Sequence, residues 1–285
     1  MKISVILITY KQEGYIRQTV ESILMQQVDA DVEIIVADDS SPDNTLAIIE
    51  EYATKAPKGF TFNFLPKEPN MGYIKNYKRA YAACTGKYIS ILEGDDYWLT
   101  NHLQSHVSFL EEHPECSMAF NRHLRLFIEE NREEIYDWKL PEDYELFTSE
   151  RLALKNQIGT LSCCTFRLEN IQKLNNSIFE MVFADWLLGM VMGEYGYQAY
   201  LKEVTSAYRI QPDGQWSKMT LEEQGREMII LIDNYDKFLD YKYTEAFKEH
   251  KRRIRAGIFG ELGFRDKIKH MTPLPLRKLY RRLKK

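Results

Sequence analysis

Carboxylates stand at the ends of two hydrophobic runs in this chain. Glu93-Gly94-Asp95-Asp96-Tyr97-Trp98 follows the apolar stretch Lys87–Leu92 (KYISIL), and Asp38-Asp39-Ser40-Ser41-Pro42-Asp43-Asn44-Thr45 follows Val32–Ala37 (VEIIVA). Acids crowded at a strand end repel one another and raise one another's pKa. A hard divalent cation such as Mn2+ or Mg2+, usually shared with substrate phosphates, relieves that repulsion. Taken alone, the triplet also fits a merely solvated acidic loop. Asp38 and Asp39 suit a different task, accepting a hydrogen bond from a base imide or a ribose hydroxyl, while Asp43, Asn44 and Thr45 suit the start of a helix. Asn70-Met71-Gly72-Tyr73-Ile74-Lys75-Asn76 offers a tight turn at Gly72. Lys75 then falls in a first helical turn, where it opposes the macrodipole unless an anion is near; a lysine on a solvated face is the plain alternative. Asp185 is a lone carboxylate in the apolar stretch Met181–Val191. Burial raises such a group toward the range of a general base, and the same residue suits the cap of a helix beginning at Trp186.

The elements that must position these groups follow from hydrophobic periodicity. Lys2–Ile8, Val32–Ala37, Phe60–Leu65 and Lys87–Leu92 read as strands, the β-branched runs among them suiting burial on both faces. Tyr15–Gln26, Asp43–Tyr52 and Ile74–Cys84 read as the helices between them. This βαβαβαβ alternation within about 95 residues predicts a mostly parallel, doubly wound α/β sheet, whose ligands bind beyond the carboxyl ends of the strands. The four loops there, Thr9–Gly14, Asp38–Asn44, Lys67–Tyr73 and Glu93–Trp98, hold the motifs above. The later chain is less regular. We expect a helix at Leu103–Glu112, a strand at Cys116–Phe127, a helix at Ala184–Tyr195, and short strands near Gln198–Leu201 and Ala207–Ile210. Two long helices, Leu221–Phe238 and Glu245–Leu262, precede a basic segment, Met271–Lys285. The expected domains are 1–217, with a nucleotide-binding half to residue 100 and an acceptor-side half after it, and a helical extension at 218–285.

With 44% hydrophobic and 28% charged residues, the 285-residue chain is neither disordered nor fibrous. No apolar run reaches membrane-spanning length. The opening MKISVILITYKQEGY reads as a first strand and not as a signal peptide, since no small-residue cleavage site follows. Cys84, Cys116, Cys163 and Cys164 fit neither a zinc site nor a disulfide framework, and read as buried thiols of a reducing cytoplasm. The net charge of −4 hides a division. Lys248–Lys285 holds 14 Lys and Arg against 3 Asp and Glu, leaving 24 against 39 in the first 247 residues. In the tail, Leu274, Leu276, Leu279, Tyr280 and Leu283 are interleaved with basic residues, which suits an anionic bilayer surface. Docking on the acidic body of the same protein suits it too.

The order TYKQEGYI, ADDSSPDNT, NMGYIKN, TGKYISILEGDDYW, ADWLLGM and YRIQPDGQWS resembles the family 2 glycosyltransferases, over Met1 to about Ser217. The resemblance implies a GT-A fold and a metal-dependent, inverting transfer of one sugar from a nucleotide-diphosphate sugar, UDP-linked by family habit. The acceptor expected is a hydroxyl of a glycan or lipid-linked saccharide in cell-surface polysaccharide synthesis. It further implies that Thr9 and Tyr10 pack on the base and that Asp38 or Asp39 holds it. Lys75 stands where an Arg is common near base and phosphates. Asp95 faces ribose or metal, Asp96 binds the metal (Mn2+ or Mg2+), and Asp185 is the catalytic base. Tyr208, Arg209 and Trp216 match a late segment closing over the donor. The chain departs from the pattern twice: Gln211 stands where relatives often carry a metal-binding His, and Ala184 where an acidic residue often precedes the base. The Gln-x-x-Arg-Trp signature of processive members is missing, which predicts one sugar per encounter. The expected setting is cytoplasmic, peripheral on the inner membrane face through 248–285, with a homodimer possible through the C-terminal helices.

Three rival readings are weaker. A nucleotidyltransferase wants a Gly-rich phosphate loop near the N-terminus, and ITYKQEGY has none. A sugar-nucleotide-binding protein without catalysis does not need both Asp96 and Asp185. Nucleic-acid binding has only the tail in its favour, with no RRM, KH or zinc pattern.

Overall fold

A computed structural model describes residues 1–137, 142–182, 185–212, 214 and 216–258. Ala184 and the tail beyond Ile258, including Met271–Lys285, lie outside the described residues. The chain divides into two compact units, Met1–Ser217 and a second that begins at Lys218.

The first unit opens with β1 (Lys2–Thr9), α1 (Ile16–Leu24), β2 (Asp31–Asp38), α2 (Thr45–Ala53), β3 (Phe60–Phe64), α3 (Tyr73–Ala83) and β4 (Tyr88–Glu93). These four strands are parallel, in the order β3-β2-β1-β4. Ile3, Val5, Ile6 and Leu7 of β1 and Ile34, Ile35 and Val36 of β2 are fully buried or nearly so, as expected of a sheet covered on both faces. Register decides what the rim presents: Thr9 pairs with Asp38, and Ile8 with Glu93. Three strands therefore end together, and the polar residues that follow them share one edge.

After β4 come β5 (Tyr97–Trp98), α4 (His102–Glu112), β6 (Cys116–Phe127), β7 (Arg132–Tyr136), β8 (Tyr144–Phe147), α5 (Ser149–Leu154), a 3-10 turn (Leu161–Cys163) and β9 (Cys164–Arg167). Then follow α6 (Leu168–Ile171), a second 3-10 turn (Asn176–Glu180), α7 (Asp185–Met192) and β10 (Tyr197–Ile210). The row continues β4-β9-β6-β10-β5, with β7 on β6 and β8 on β10. β9 is antiparallel to β4 and β6, which leaves β6 and β10 running with the first four strands. The two short strands expected at 198–201 and 207–210 are one strand, β10. Its register slips on β6 between Leu201 and Ser206, and the polar Lys202 and Glu203 at that bulge interrupted the hydrophobic pattern. Arg167 ties the middle of the sheet to α4: its guanidinium donates to the carbonyls of Leu110 and His113 at the helix end, 3.1 Å for the latter, where a cation suits the orphan carbonyls and the dipole.

The second unit holds α8 (Leu221–Phe238) and α9 (Thr244–Ile258). Thr220 and Glu223 form a reciprocal capping box at the start of α8. Ile232, Tyr235 and Phe247 are buried. Among the described residues, no helix is long and apolar enough to cross a membrane.

Candidate active site

The turn Glu93–Asp96 is braced from three sides. Thr19 of α1 donates its hydroxyl to the carbonyls of Gly94 (2.9 Å) and Asp96 (2.6 Å). The Ser162 hydroxyl accepts from the Glu93 N–H at 3.1 Å, and the Trp98 indole donates to the Ser162 carbonyl at 2.8 Å. From β10, the Arg209 N–H donates to Asp96 Oδ1 at 2.9 Å, and its guanidinium donates to the Asp95 carbonyl and to Gln18. That guanidinium also lies over the rings of Tyr97 (4.7 Å) and Tyr15 (5.2 Å). Gly94 is required by close approach: a Cβ there would fall 2.8 Å from Thr9 Cγ2 and 2.2 Å from Gln12 Oε1.

The four acids near this turn differ in setting. Asp96 is fully buried. Besides Arg209 N it accepts a long hydrogen bond from the Thr160 hydroxyl at 3.4 Å. Burial, then the charges of Asp95 and Glu93, raise its pKa well above the usual range. Glu93 is half-buried, accepting from Thr160 (3.1 Å) and Tyr77 (3.2 Å). Burial and the neighbouring charges of Asp95 and Asp185 push it up to about 7. Asp95, also half-buried, accepts from the Gln211 amide at 2.8 Å. The residue found in place of the family histidine thus touches the carboxylate expected to face the metal.

Asp185 begins α7. Its Oδ2 accepts from Asn156 Nδ2 (3.0 Å) and from the Gly159 N–H (2.8 Å). Burial raises its pKa, against the hydrogen bonds from Asn156, Gly159 and the Trp186 N–H. Tyr208 sits within reach of all four acids: burial, then Asp96, Glu93, Asp95 and Asp185, raise its phenol. Residues from β4, α7 and the end of β10 therefore bear electrostatically on one another. Glu93 carries a carboxylate of this group that sequence reasoning passed over, although it opens the same acidic run.

The Asp38–Asp39 pair lies at the adjoining strand end and divides its work. Asp39 is buried, with Oδ1 and Oδ2 accepting from the N–H groups of Met71 (2.9 Å) and Gly72 (2.8 Å). It clamps the loop that leads into α3. Asp38 is partly exposed, accepting from the hydroxyl of Thr9 (2.8 Å) and from the N–H and hydroxyl of Ser41. Arg79, which sequence reasoning did not single out, donates to the carbonyls of Asp38 and Pro66 and to Asn76 Oδ1, joining the ends of β2 and β3 to α3. Thr9 is buried, whereas Tyr10 and Trp216 are exposed, as is Lys75 in the first turn of α3. Asp43 accepts from the Thr45 N–H and hydroxyl, the expected support for α2.

Among the described residues, no group of three His, Cys, Asp or Glu side chains encloses a metal by itself. The hard oxygen donors of Asp95 and Asp96 therefore fit a divalent cation only with substrate oxygens completing its shell, as is usual for Mg2+. All four cysteines are buried free thiols.

Comparison with known proteins places the chain in a family. Residues 4–174 match the family model described as glycosyl transferase family 2. An uncharacterised protein of Mycobacterium tuberculosis is 31% identical over 214 residues, covering 75% of this chain and 60% of that protein. The chain thus spans less than two thirds of that relative's length. The minor teichoic acid biosynthesis protein GgaB of Bacillus subtilis is 26% identical over 96% of this chain and 30% of its own. Among solved structures, S. aureus TarS 1-349 in complex with UDP-GlcNAc superposes with a TM-score of 0.67 at 20% identity, over 92% of this chain and 74% of that one. The mannosyltransferase PcManGT of Pyrobaculum calidifontis, in complex with GDP-Man and Mn2+, gives 0.57 at 13% identity, over 97% and 82%. The mixed α/β architecture, with its mostly parallel sheet, is the GT-A fold of these neighbours, and the chain belongs to glycosyl transferase family 2.

Proposed function

We propose that the protein transfers one sugar from a nucleotide-diphosphate sugar to an acceptor hydroxyl, with inversion at the anomeric carbon. The observation that carries the reading is the gathering of Glu93, Asp95 and the buried Asp96 on one braced turn at the carboxyl edge of the sheet, with Asp185 near enough for its charge to raise Glu93. Desolvated carboxylates are costly to gather, and such clusters mark functional sites. The relatives and fold neighbours support it: TarS is seen with UDP-GlcNAc, PcManGT with GDP-Man and Mn2+, and GgaB is named for teichoic acid biosynthesis. The donor we assign is UDP-linked, and the acceptor a saccharide or lipid-linked saccharide of a cell-surface polymer.

Each residue then has a task. Thr9 and Tyr10 line the base, and Asp38, steadied by Thr9 and Ser41, accepts from its imide. Asp39 keeps the Met71–Gly72 loop in place behind it. Lys75 lies where the donor's phosphates need a positive charge. Asp95 and Asp96, with the donor diphosphate, would hold Mn2+ or Mg2+, which supplies Lewis-acid stabilisation to the departing diphosphate. Arg209 fixes the turn carrying these two acids, and Trp216 closes over the donor. Asp185 accepts the proton of the acceptor hydroxyl as that oxygen attacks C1 from the face opposite the leaving group, giving a single displacement. Its two held contacts on Oδ2 aim the carboxylate, and burial raises it toward a useful basicity.

The test is a panel of UDP-, GDP- and TDP-sugars with Mn2+ or Mg2+, read by thermal shift and by donor hydrolysis. A UDP-sugar is expected to stabilise the protein and to be hydrolysed slowly without acceptor. No response to any sugar nucleotide, in the presence of either cation, refutes the reading. The basic tail carries a separate proposal, attachment to anionic membranes. Pelleting on anionic vesicles should fall when residues 271–285 are removed, and equal pelleting would exclude it.

A further inference from the structure

Behind Asp185 lies a histidine whose chemistry the mechanism does not use. His123 is fully buried on β6, and beyond the Cys163 thiol beside it neither ring nitrogen has a well-aligned hydrogen-bond partner among the described residues. The buried His102 and His106 each place Nδ1 on a threonine hydroxyl, Thr205 at 3.0 Å and Thr165 at 2.9 Å. An imidazole always carries at least one N–H, and leaving buried polar atoms unpaired is costly. The location suggests what the cost serves. Gly159 donates its N–H to Asp185 Oδ2, and a Cβ on Gly159 would fall 3.0 Å from His123 Cε1 and 3.4 Å from Nε2. The imidazole edge therefore abuts the residue that aims the carboxylate. Gly159 has φ +92°, a conformation open chiefly to glycine, so the loop depends on what packs against it.

The groups facing the ring come from every neighbouring strand and turn. Tyr136 of β7 pairs with His123 in register, its ring 4.9 Å away, and Arg125 lies 3.7 Å over the Tyr136 ring. Tyr208 of β10 approaches edge-on at 6.3 Å. Cys163 lies beside it: burial pushes that thiol up, yet Cys164 and His123 bring it down to about 6. His123 in turn favours the charged form of Asp185.

We propose that His123 is a positioning residue for Asp185: the imidazole braces Gly159, so that its N–H stays on Oδ2. The proposal rests on reading Asp185 as the general base, and its test separates the two. The first measurement needs no substrate. The Gly159 amide is followed by NMR. Its hydrogen exchange should quicken in His123→Gln, because the brace against Gly159 is gone. Unchanged exchange in His123→Gln overturns the proposal. So does exchange that quickens in Cys163→Ala alone, since the imidazole then serves the thiol.

The second measurement uses transfer. In His123→Gln the acid limb of the kcat/KM–pH profile should move up by about one pH unit, with donor KM unchanged. His123→Phe, which keeps a ring against Gly159, should return the limb toward its place. A limb that stays put in both variants overturns the proposal and leaves the glycosyltransferase reading standing. A wild type that turns over no sugar nucleotide refutes that reading instead, while the NMR result would still stand.

Discussion

Acidification should act on two buried histidines of α4. His102 and His106 are fully buried on α4, with ring centroids 4.2 Å apart and Trp98 stacked on His102 at 4.4 Å. Burial, with the neighbouring His106, holds His102 well below the usual range. Burial also brings His106 down to about 3, opposed by the neighbouring Asn121 side chain. Both are neutral in the fold and charge only on unfolding. The unfolded chain therefore takes up protons first, near pH 6.5, and stability falls as pH drops from there toward 3. For His106 the loss approaches about 1.4 kcal/mol per pH unit, or roughly 2 kcal/mol by pH 5. The whole stability curve does not isolate this effect. Glu93 is raised to about 7, so the fold holds its proton more tightly than the unfolded chain, and acidification through that range adds stability. The difference between wild type and His106→Asn, which keeps an amide near Thr165, removes the shared part. Urea unfolding at pH 8, 7, 6 and 5 should show the variant destabilised at pH 8, with the gap narrowing by roughly 2 kcal/mol at pH 5. A gap independent of pH would refute the claim that His106 is neutral in the fold.

Three more expectations follow from the site and its frame. Asp185→Asn keeps an oxygen for Asn156 and Gly159 but removes the base, so donor affinity by calorimetry should hold while kcat falls on the order of 10²–10⁴; transfer at the wild-type rate would contradict the assignment. Gln211→His places an imidazole beside Asp95, and Mn2+ affinity in the presence of nucleoside diphosphate should rise, which unchanged titration calorimetry would disprove. Glu33 is buried, which pushes it up, but hydrogen bonds from Ser4, Lys2 and Thr85 outweigh burial and hold it at about 2. Its contribution is present above pH 4.5 and lost as pH falls toward 2, so Glu33→Gln should cost about 2 kcal/mol at pH 7 in denaturant titration and far less near pH 3.

The first half of the sheet was readable because parallel strands buried on both faces write continuous apolar runs, and β1, β2 and β4 are such runs. The second half was not. β5 has two residues and β8 and β9 four each, too short for a period, and β10 hides its continuity behind a polar bulge. Candidate site residues were legible by position, since an acid just past a buried strand sits at the ligand-binding edge whatever follows. Their partners were not. That both oxygens of Asp39 hold backbone N–H groups some 30 residues on, or that Arg209 secures the turn at Asp95 and Asp96, depends on contacts that sequence spacing cannot express. His123 gave no signal at all, being one polar residue on a strand whose neighbours alternate irregularly.

On the proposed function, donor and acceptor meet between Asp95 and Asp185. A crystal structure with UDP and Mn2+, using the anomalous signal of the ion, addresses it most directly. An ion is expected about 2.1 Å from an Asp95 oxygen, with the diphosphate on it, the uracil imide at Asp38, and open space between diphosphate and Asp185 for a sugar. A nucleotide bound elsewhere on the molecule, or seated here with Asp185 walled off from its β-phosphate, would contradict it.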